Sequence, residues 1–211
     1  MKNALNFKPM EKMEKMEKII KKIPVYKIFI DENDNTPFGV NYVALVDFPA
    51  IELDWVQFNR QFKFSADKER RLILGAFLIA NMPIYRRDEI RGEHYVVFDK
   101  ETIYQIVQKF KRNKLSSNFN LMHEKEVEGI FLLSDFIIDD TLGIKAPESF
   151  KDISQGSWIG TVKVDNEEIW NDYIKSGELK GFSVEGIFAM GEMVRTDEDV
   201  LNEIADIVKG K

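Results

Sequence analysis

Short runs of β-branched and aromatic residues, separated by turn residues, dominate the chain from Val25 onwards and predict many β-strands. Two runs, 40–46 and 72–80, are almost wholly apolar, which indicates strands buried in the core. The full set of predicted strands is 25–30, 40–46, 72–80, 94–98, 118–123, 127–138, 156–164 and 181–190.

Three segments instead carry apolar residues at helical spacing. Residues 100–112 follow Asp99 as N-cap, residues 165–177 open with the spacing of a capping box at Asp165, and the last segment is 197–209. Because strands outnumber helices and do not alternate with them regularly, the pattern predicts an α+β fold with a mostly antiparallel sheet or barrel.

The first 23 residues have a different pattern. The run MEKMEKMEKIIKK at 10–22 places each glutamate four residues before a lysine, which favours a helix, and Pro24 is a natural stop. We therefore expect a helical N-terminal extension, 1–23, followed by one domain, 24–211. The apolar stripe of this helix would contact a partner or the domain, unless the helix is simply solvated.

Composition excludes several classes of protein. A net charge of -6 and a pI near 5.2 argue against a general nucleic-acid or anionic-membrane binder. The chain has no cysteine, which rules out disulfides and thiolate chemistry. No apolar run is long enough for a signal segment or a spanning helix, so we expect a cytoplasmic protein.

The candidate chemistry lies in two short motifs, LMHE at 121–124 and KGFSVEG at 180–186. Ser183 offers a nucleophile and His123 a base, and a serine hydroxyl needs an imidazole to take its proton. His94, the other histidine, is predicted to lie at a strand edge. A metal site is not expected, because Val127 stands where the H-E-x-x-H motif needs its second histidine, and no cofactor is predicted.

Three longer runs, IYRRDEIRGEHYVVFDKETI (84–103), NLMHEKEVEGIF (120–131) and GSWIGTVKVDNEEIWNDYIKSGELKGFSVEG (156–186), resemble the phage prohead protease family. That family is similar to the herpesvirus assemblin-type serine proteases. The resemblance implies a small, partly open β-barrel surrounded by helices. It also implies a serine endopeptidase that cleaves scaffold and capsid proteins inside the procapsid, in the host cytoplasm.

Carried over by position, the resemblance makes Ser183 the nucleophile and His123 the base. Asp135 in LLSDFII is the first choice for a third catalytic residue, although a simple hairpin would leave it about 20 Å from the turn near His123. Glu185 is the second choice, because it lies on the same strand face as Ser183, and a dyad without a third member stays open.

The partners that the resemblance implies are scaffold and major capsid proteins as substrates, and a second copy of the chain in a homodimer. Neither nucleic acid nor membrane is expected. The alternative is a catalytically inactive procapsid assembly or scaffold-binding protein with the same fold.

Overall fold

The computed structural model describes residues 24–31, 35–47 and 65–194, of which 192–194 are described by their backbone alone. The predicted extension 1–23 and the predicted helix 197–209 lie outside these residues. The strands are β1 (Val25–Phe29), β2 (Gly39–Val46), β3 (Ser65–Asp67), β4 (Leu72–Leu78), β5 (Ile84–Asp88), β6 (Gly92–Val97), β7 (Phe119–Leu121), β8 (Lys125–Glu126), β9 (Ile130–Ile137), β10 (Trp158–Val164), β11 (Gly181–Ile187) and β12 (Ala189–Val194).

These strands form three open sheets of four strands each, in the orders β12-β1-β6-β5, β3-β4-β10-β9 and β11-β2-β7-β8. Most neighbours are antiparallel, but β1 pairs with β6 and β2 pairs with β7 in parallel. Each predicted strand has a counterpart, and the run 181–190 is divided between β11 and β12. The short strands β3, β5 and β8 were not predicted.

The predicted partly open barrel surrounded by helices is wrong. Within the described residues the three sheets are separate, two of them are mixed, and no ladder closes them into a barrel. The helices are too few to surround a barrel: α1 (Lys100–Arg112), the π-helical segment Ile169–Ile174 and two short 3-10 turns, Asp140–Leu142 and Glu148–Phe150. Hydrophobic alternation shows which face of a strand is buried, but it does not show which strands pair.

Helix α1 has the predicted boundaries. The Asp99 carboxylate accepts a hydrogen bond from the backbone N–H of Thr102 at 2.8 Å and forms an ion pair with Lys27. Partial burial alone would raise the pKa of Asp99, but these bonds outweigh it and hold the pKa below its ordinary value. Asp99 thus satisfies one of the free N–H groups at the start of the helix.

The predicted helix 165–177 forms mostly as a π-helical segment, and its cap is not Asp165. The side chain of Asn166 accepts the N–H of Ile169 at 3.0 Å, whereas the Asp165 carboxylate forms an ion pair with Lys163 at 3.0 Å. Two neighbouring polar residues offer the same capping chemistry, so the sequence alone did not decide between them.

An aromatic cluster joins the sheets in the core. Phe77 on β4 packs edge-on against Trp158 on β10, with ring centroids 4.9 Å apart, and against Phe182 on β11 at 4.7 Å. Phe110 of α1 packs on the same Trp158 at 5.2 Å. This cluster fixes β11 against β4, and β11 is the strand that carries Ser183.

Candidate active site

Ser183 is the third residue of β11, an edge strand that pairs with β2. Its Cα is in register with Ala44 of β2, and the preceding residue, Phe182, is anchored in the aromatic core. The residue is only 4% exposed. The position of the hydroxyl is therefore set by core packing and strand pairing, as a reactive group requires.

His123 lies in the tight turn between β7 and β8, and the backbone of this turn is strained. Met122 and His123 have φ angles of 54° and 61°, in the left-handed region that residues other than glycine rarely adopt. The N–H of Met122 bonds the carbonyl of Leu45 on β2 at 3.0 Å, and the N–H of Glu124 bonds Leu121 at 2.9 Å. These bonds hold the strained turn against the sheet.

The turn brings His123 back towards β11. Its Nδ1 lies 3.3 Å from Oε2 of Glu185, two residues beyond Ser183. Ser183, His123 and Glu185 line one open cleft of about 580 Å³. The two residues predicted from separate motifs therefore share a cleft with the second choice for the third catalytic residue.

Ser183 and His123 make no direct hydrogen bond within the part of the chain that the structure describes. The side chain of His123 is 39% exposed, so its ring can turn without disturbing the core. Catalytic hydrogen bonds in enzymes without substrate are often long or misaligned and become short in the substrate complex. The geometric support for a Ser–His pair is therefore the cleft that both residues line, and not a hydrogen bond between them.

Asn120 holds the Glu185 carboxylate through a hydrogen bond. Its Nδ2 donates to Oε2 of Glu185 at 2.6 Å, and the residue is 4% exposed. Asn120 is in register with Ala44, and Ala44 is in register with Ser183, so the three lie in one row across β7, β2 and β11. A buried amide that donates to a carboxylate fixes its position and keeps it an acceptor for His123.

Asp135, the first choice for the third residue, lies in another sheet. It is on β9, where its carboxylate accepts the indole N–H of Trp158 at 2.8 Å and forms an ion pair with Lys111 of α1. Its side chain is 6% exposed. The structure thus gives Asp135 a place in the packing between α1 and its sheet and does not bring it to His123.

Two residues of the site escaped sequence reasoning. Asn120 occupies a polar position in the alternating run of β7, so the sequence predicts it exposed, whereas the structure buries it. Arg86 on β5 lines the cleft, yet in the sequence it is one of two adjacent arginines in a charged segment. Nothing in that segment distinguishes Arg86 from Arg87.

His94 was predicted at a strand edge, and this is wrong. It lies on β6, an inner strand between β1 and β5, and is completely buried. Its Nδ1 is 3.0 Å from the carbonyl oxygen of Gly92, while Nε2 has no hydrogen-bond partner. His94 lines a second cavity next to Ser183 and does not line the cleft that contains His123.

In the described ranges, no group of three or more histidine, aspartate or glutamate residues is arranged to hold a metal ion. None of the helices in those ranges has the length and hydrophobicity needed to cross a membrane.

Comparison with known proteins gives one family. The model of the family described as "Putative phage serine protease XkdF" matches residues 62–192, more than half of the 211-residue chain. This match contains Ser183, His123, Glu185 and Arg86. No curated protein and no solved structure matches the chain, so the similarity to assemblin-type proteases stays a prediction.

Proposed function

The chain belongs to the XkdF family of phage serine proteases, and from this premise we propose that it is a capsid maturation endopeptidase. Its reaction would be cleavage of scaffold and capsid proteins through an acyl-enzyme on Ser183. One observation supports this proposal most: Ser183, His123 and Glu185 line the same cleft, although they are distant in sequence. A nucleophile, a base and an orienting carboxylate are the groups that acyl transfer needs.

In the proposed mechanism, Nδ1–H of His123 donates to Glu185, which leaves the lone pair of Nε2 free to accept the Ser183 proton. The serine oxygen attacks the substrate carbonyl carbon, and the imidazolium then protonates the departing amine. Water, deprotonated by the same imidazole, attacks the acyl-enzyme and releases Ser183. Glu185 stabilises the positive charge that His123 carries in both steps.

Substrate binding would complete the contact between Ser183 and His123. The exposed His123 ring can turn towards Ser183 when a peptide fills the cleft, while the strained turn holds its backbone still. Asn120 holds Glu185 in place during this movement, since it is buried and strand-paired. Asn120 is thus proposed as a positioning residue.

The finer parts of the proposal rest on the resemblance to prohead proteases. They are a domain at 24–211 after a helical extension at 1–23, action inside the procapsid in the host cytoplasm, substrates among the scaffold and major capsid proteins, and a homodimer. A phage protease meets these proteins in the infected cell, where the shell assembles.

The test is co-expression of the chain with the capsid and scaffold proteins that are encoded beside it, followed by measurement of the intact masses of all products. We expect fragments with the wild type, none with Ser183→Ala and few with His123→Gln. Ser134→Ala is the matched control, because Ser134 is also a strand serine but is exposed on β9, outside the cleft. If folded wild-type protein in assembled shells produces no fragments, the inactive assembly role replaces this proposal.

A further inference from the structure

Two cavities meet at Ser183. The first is the open cleft with His123, and the second is a smaller cavity of about 160 Å³ beside it. Apolar side chains form most of the smaller cavity's wall, among them Ile84, Phe98, Phe182 and Phe188. Its volume suits one amino-acid side chain, and Ser183 and Arg86 stand at the border between the two spaces.

Arg86 has no carboxylate partner among the described residues. Its Nη1 donates to the carbonyl oxygen of Tyr85 at 3.0 Å. The side chain keeps contact with solvent, but the surrounding protein desolvates the guanidinium and lowers the pKa of Arg86 below its ordinary value. The group stays charged, and a partly desolvated guanidinium is well suited to bind a carboxylate through two hydrogen bonds.

The other polar groups of the cavity favour an acidic ligand. Arg87 adds a second positive charge to its lining, while the carboxylate of Asp88 is already bonded to Arg91 at 3.3 Å and to the N–H of Arg91 at 2.6 Å. The buried Nε2 of His94 makes no hydrogen bond, and the carboxylate of Asp88 lies 3.7 Å from it. Asp88 therefore has donors of its own, and the two arginines are the charges of the lining that attract an acidic side chain.

We propose that the smaller cavity is the specificity pocket of the protease and that Arg86 selects an acidic side chain, glutamate or aspartate, on the acyl side of the scissile bond. This inference rests on the proposed function. The carbonyl carbon that Ser183 attacks is bonded to the Cα of that substrate residue, so its side chain enters the cavity that borders Ser183. The apolar wall packs on the methylene groups, and Arg86 binds the carboxylate.

The experiment uses synthetic peptides with a randomised background, in which the residue before the scissile bond is glutamate, glutamine, lysine or leucine. We expect wild-type kcat/KM for glutamate to exceed that for glutamine at least about tenfold, the usual effect of a hydrogen bond between charged groups. Arg86→Gln should bring this ratio close to one, and Arg86→Glu should favour lysine. Arg86→Lys should keep a preference for glutamate, which shows that the fold tolerates substitution there.

Arg70→Gln is the matched control, since Arg70 forms a surface ion pair with Asp67 and lines neither cavity. Its glutamate-to-glutamine ratio should equal that of the wild type. A fluorophosphonate probe, read by mass at Ser183, reports the nucleophile independently of specificity. If Ser183 is labelled but glutamate and glutamine peptides are cleaved equally, the assignment of the pocket is wrong and the assignment as a protease still holds.

An equal loss of kcat on all peptides in Arg86→Gln would also overturn the pocket, because a group that stabilises the oxyanion acts on every substrate alike. Folded wild-type protein that is neither labelled nor able to cleave any peptide would refute the protease and the pocket together.

Discussion

Replacing Glu185 with glutamine tests the proposed catalytic carboxylate, because it removes a charge and almost no volume. In the structure the carboxylate lies 3.3 Å from Nδ1 of His123. Two unit charges at that distance attract by about 5 kcal/mol at an effective dielectric constant of 20 and by about 1.3 kcal/mol in water. The side chains of His123 and Glu185 are 39% and 44% exposed. We therefore take an attraction closer to the value in water than to the value at a dielectric constant of 20, about 2 kcal/mol. This predicts a loss of about 30-fold in kcat/KM.

The matched variant is Asp135→Asn, which neutralises the carboxylate that sequence reasoning preferred. Asp135 bonds Trp158 and Lys111 and is 6% exposed, so its loss should lower the free energy of unfolding by about 1–3 kcal/mol. The kcat/KM of the folded fraction should stay within about twofold of wild type.

The assay measures cleavage of one peptide substrate under pseudo-first-order conditions, together with urea unfolding of each variant. Glu124→Gln is the control for long-range charge effects, because Glu124 is exposed in the same turn as His123 but does not line the cleft. Full activity in Glu185→Gln together with a large loss of activity in folded Asp135→Asn would refute the assignment.

Three further predictions concern stability, each measured by urea unfolding. Asp99→Ala should lower the free energy of unfolding by about 1 kcal/mol at pH 7. Because the folded-state pKa of Asp99 lies below the ordinary 3.8, this difference should persist above pH 3.8 and vanish as the pH falls through the folded-state pKa. Lys114→Gly should stabilise the protein by about 1 kcal/mol, since Lys114 has a φ of 57° just after α1; a loss of stability would contradict this account. Gly160→Ala should destabilise by about 1–3 kcal/mol, because the new Cβ would lie 2.4 Å from the ring of Phe77, and an unchanged unfolding midpoint would show that the ring moves aside freely.

Strand positions and the boundaries of α1 followed from the sequence, but the arrangement of the sheets did not. The pairs β1 with β6 and β2 with β7 are parallel and bring together segments that are far apart along the chain. Hydrophobic alternation carries no information about such partners. Of the three unpredicted strands, β3 and β8 are only three and two residues long, too short for a periodic pattern to show, and β5 has five residues of which three are charged.

The candidate site likewise has a part that the sequence predicted and a part that it did not. Ser183 and His123 could be proposed from the sequence because a candidate nucleophile and a candidate base are chemically recognisable and the chain has only two histidines. The choice between Asp135 and Glu185 depended on which carboxylate folding brings to His123, and only the pairing of β11, β2 and β7 places Glu185 there. A position carried over by resemblance could not supply that distance.

The corrected fold gives a different reason for the rigidity of this site than a barrel would. Strand β2 is the common support: Ala44 is in register with Ser183 on one side and with Asn120 on the other, and Leu45 accepts the N–H of Met122 in the His123 turn. Two consecutive left-handed residues cost about 1–3 kcal/mol each and persist only where neighbouring structure enforces them. The strain in this turn therefore supports the proposed role of His123. The three strands β11, β2 and β7 position Ser183, Glu185 and His123 without closure of a barrel.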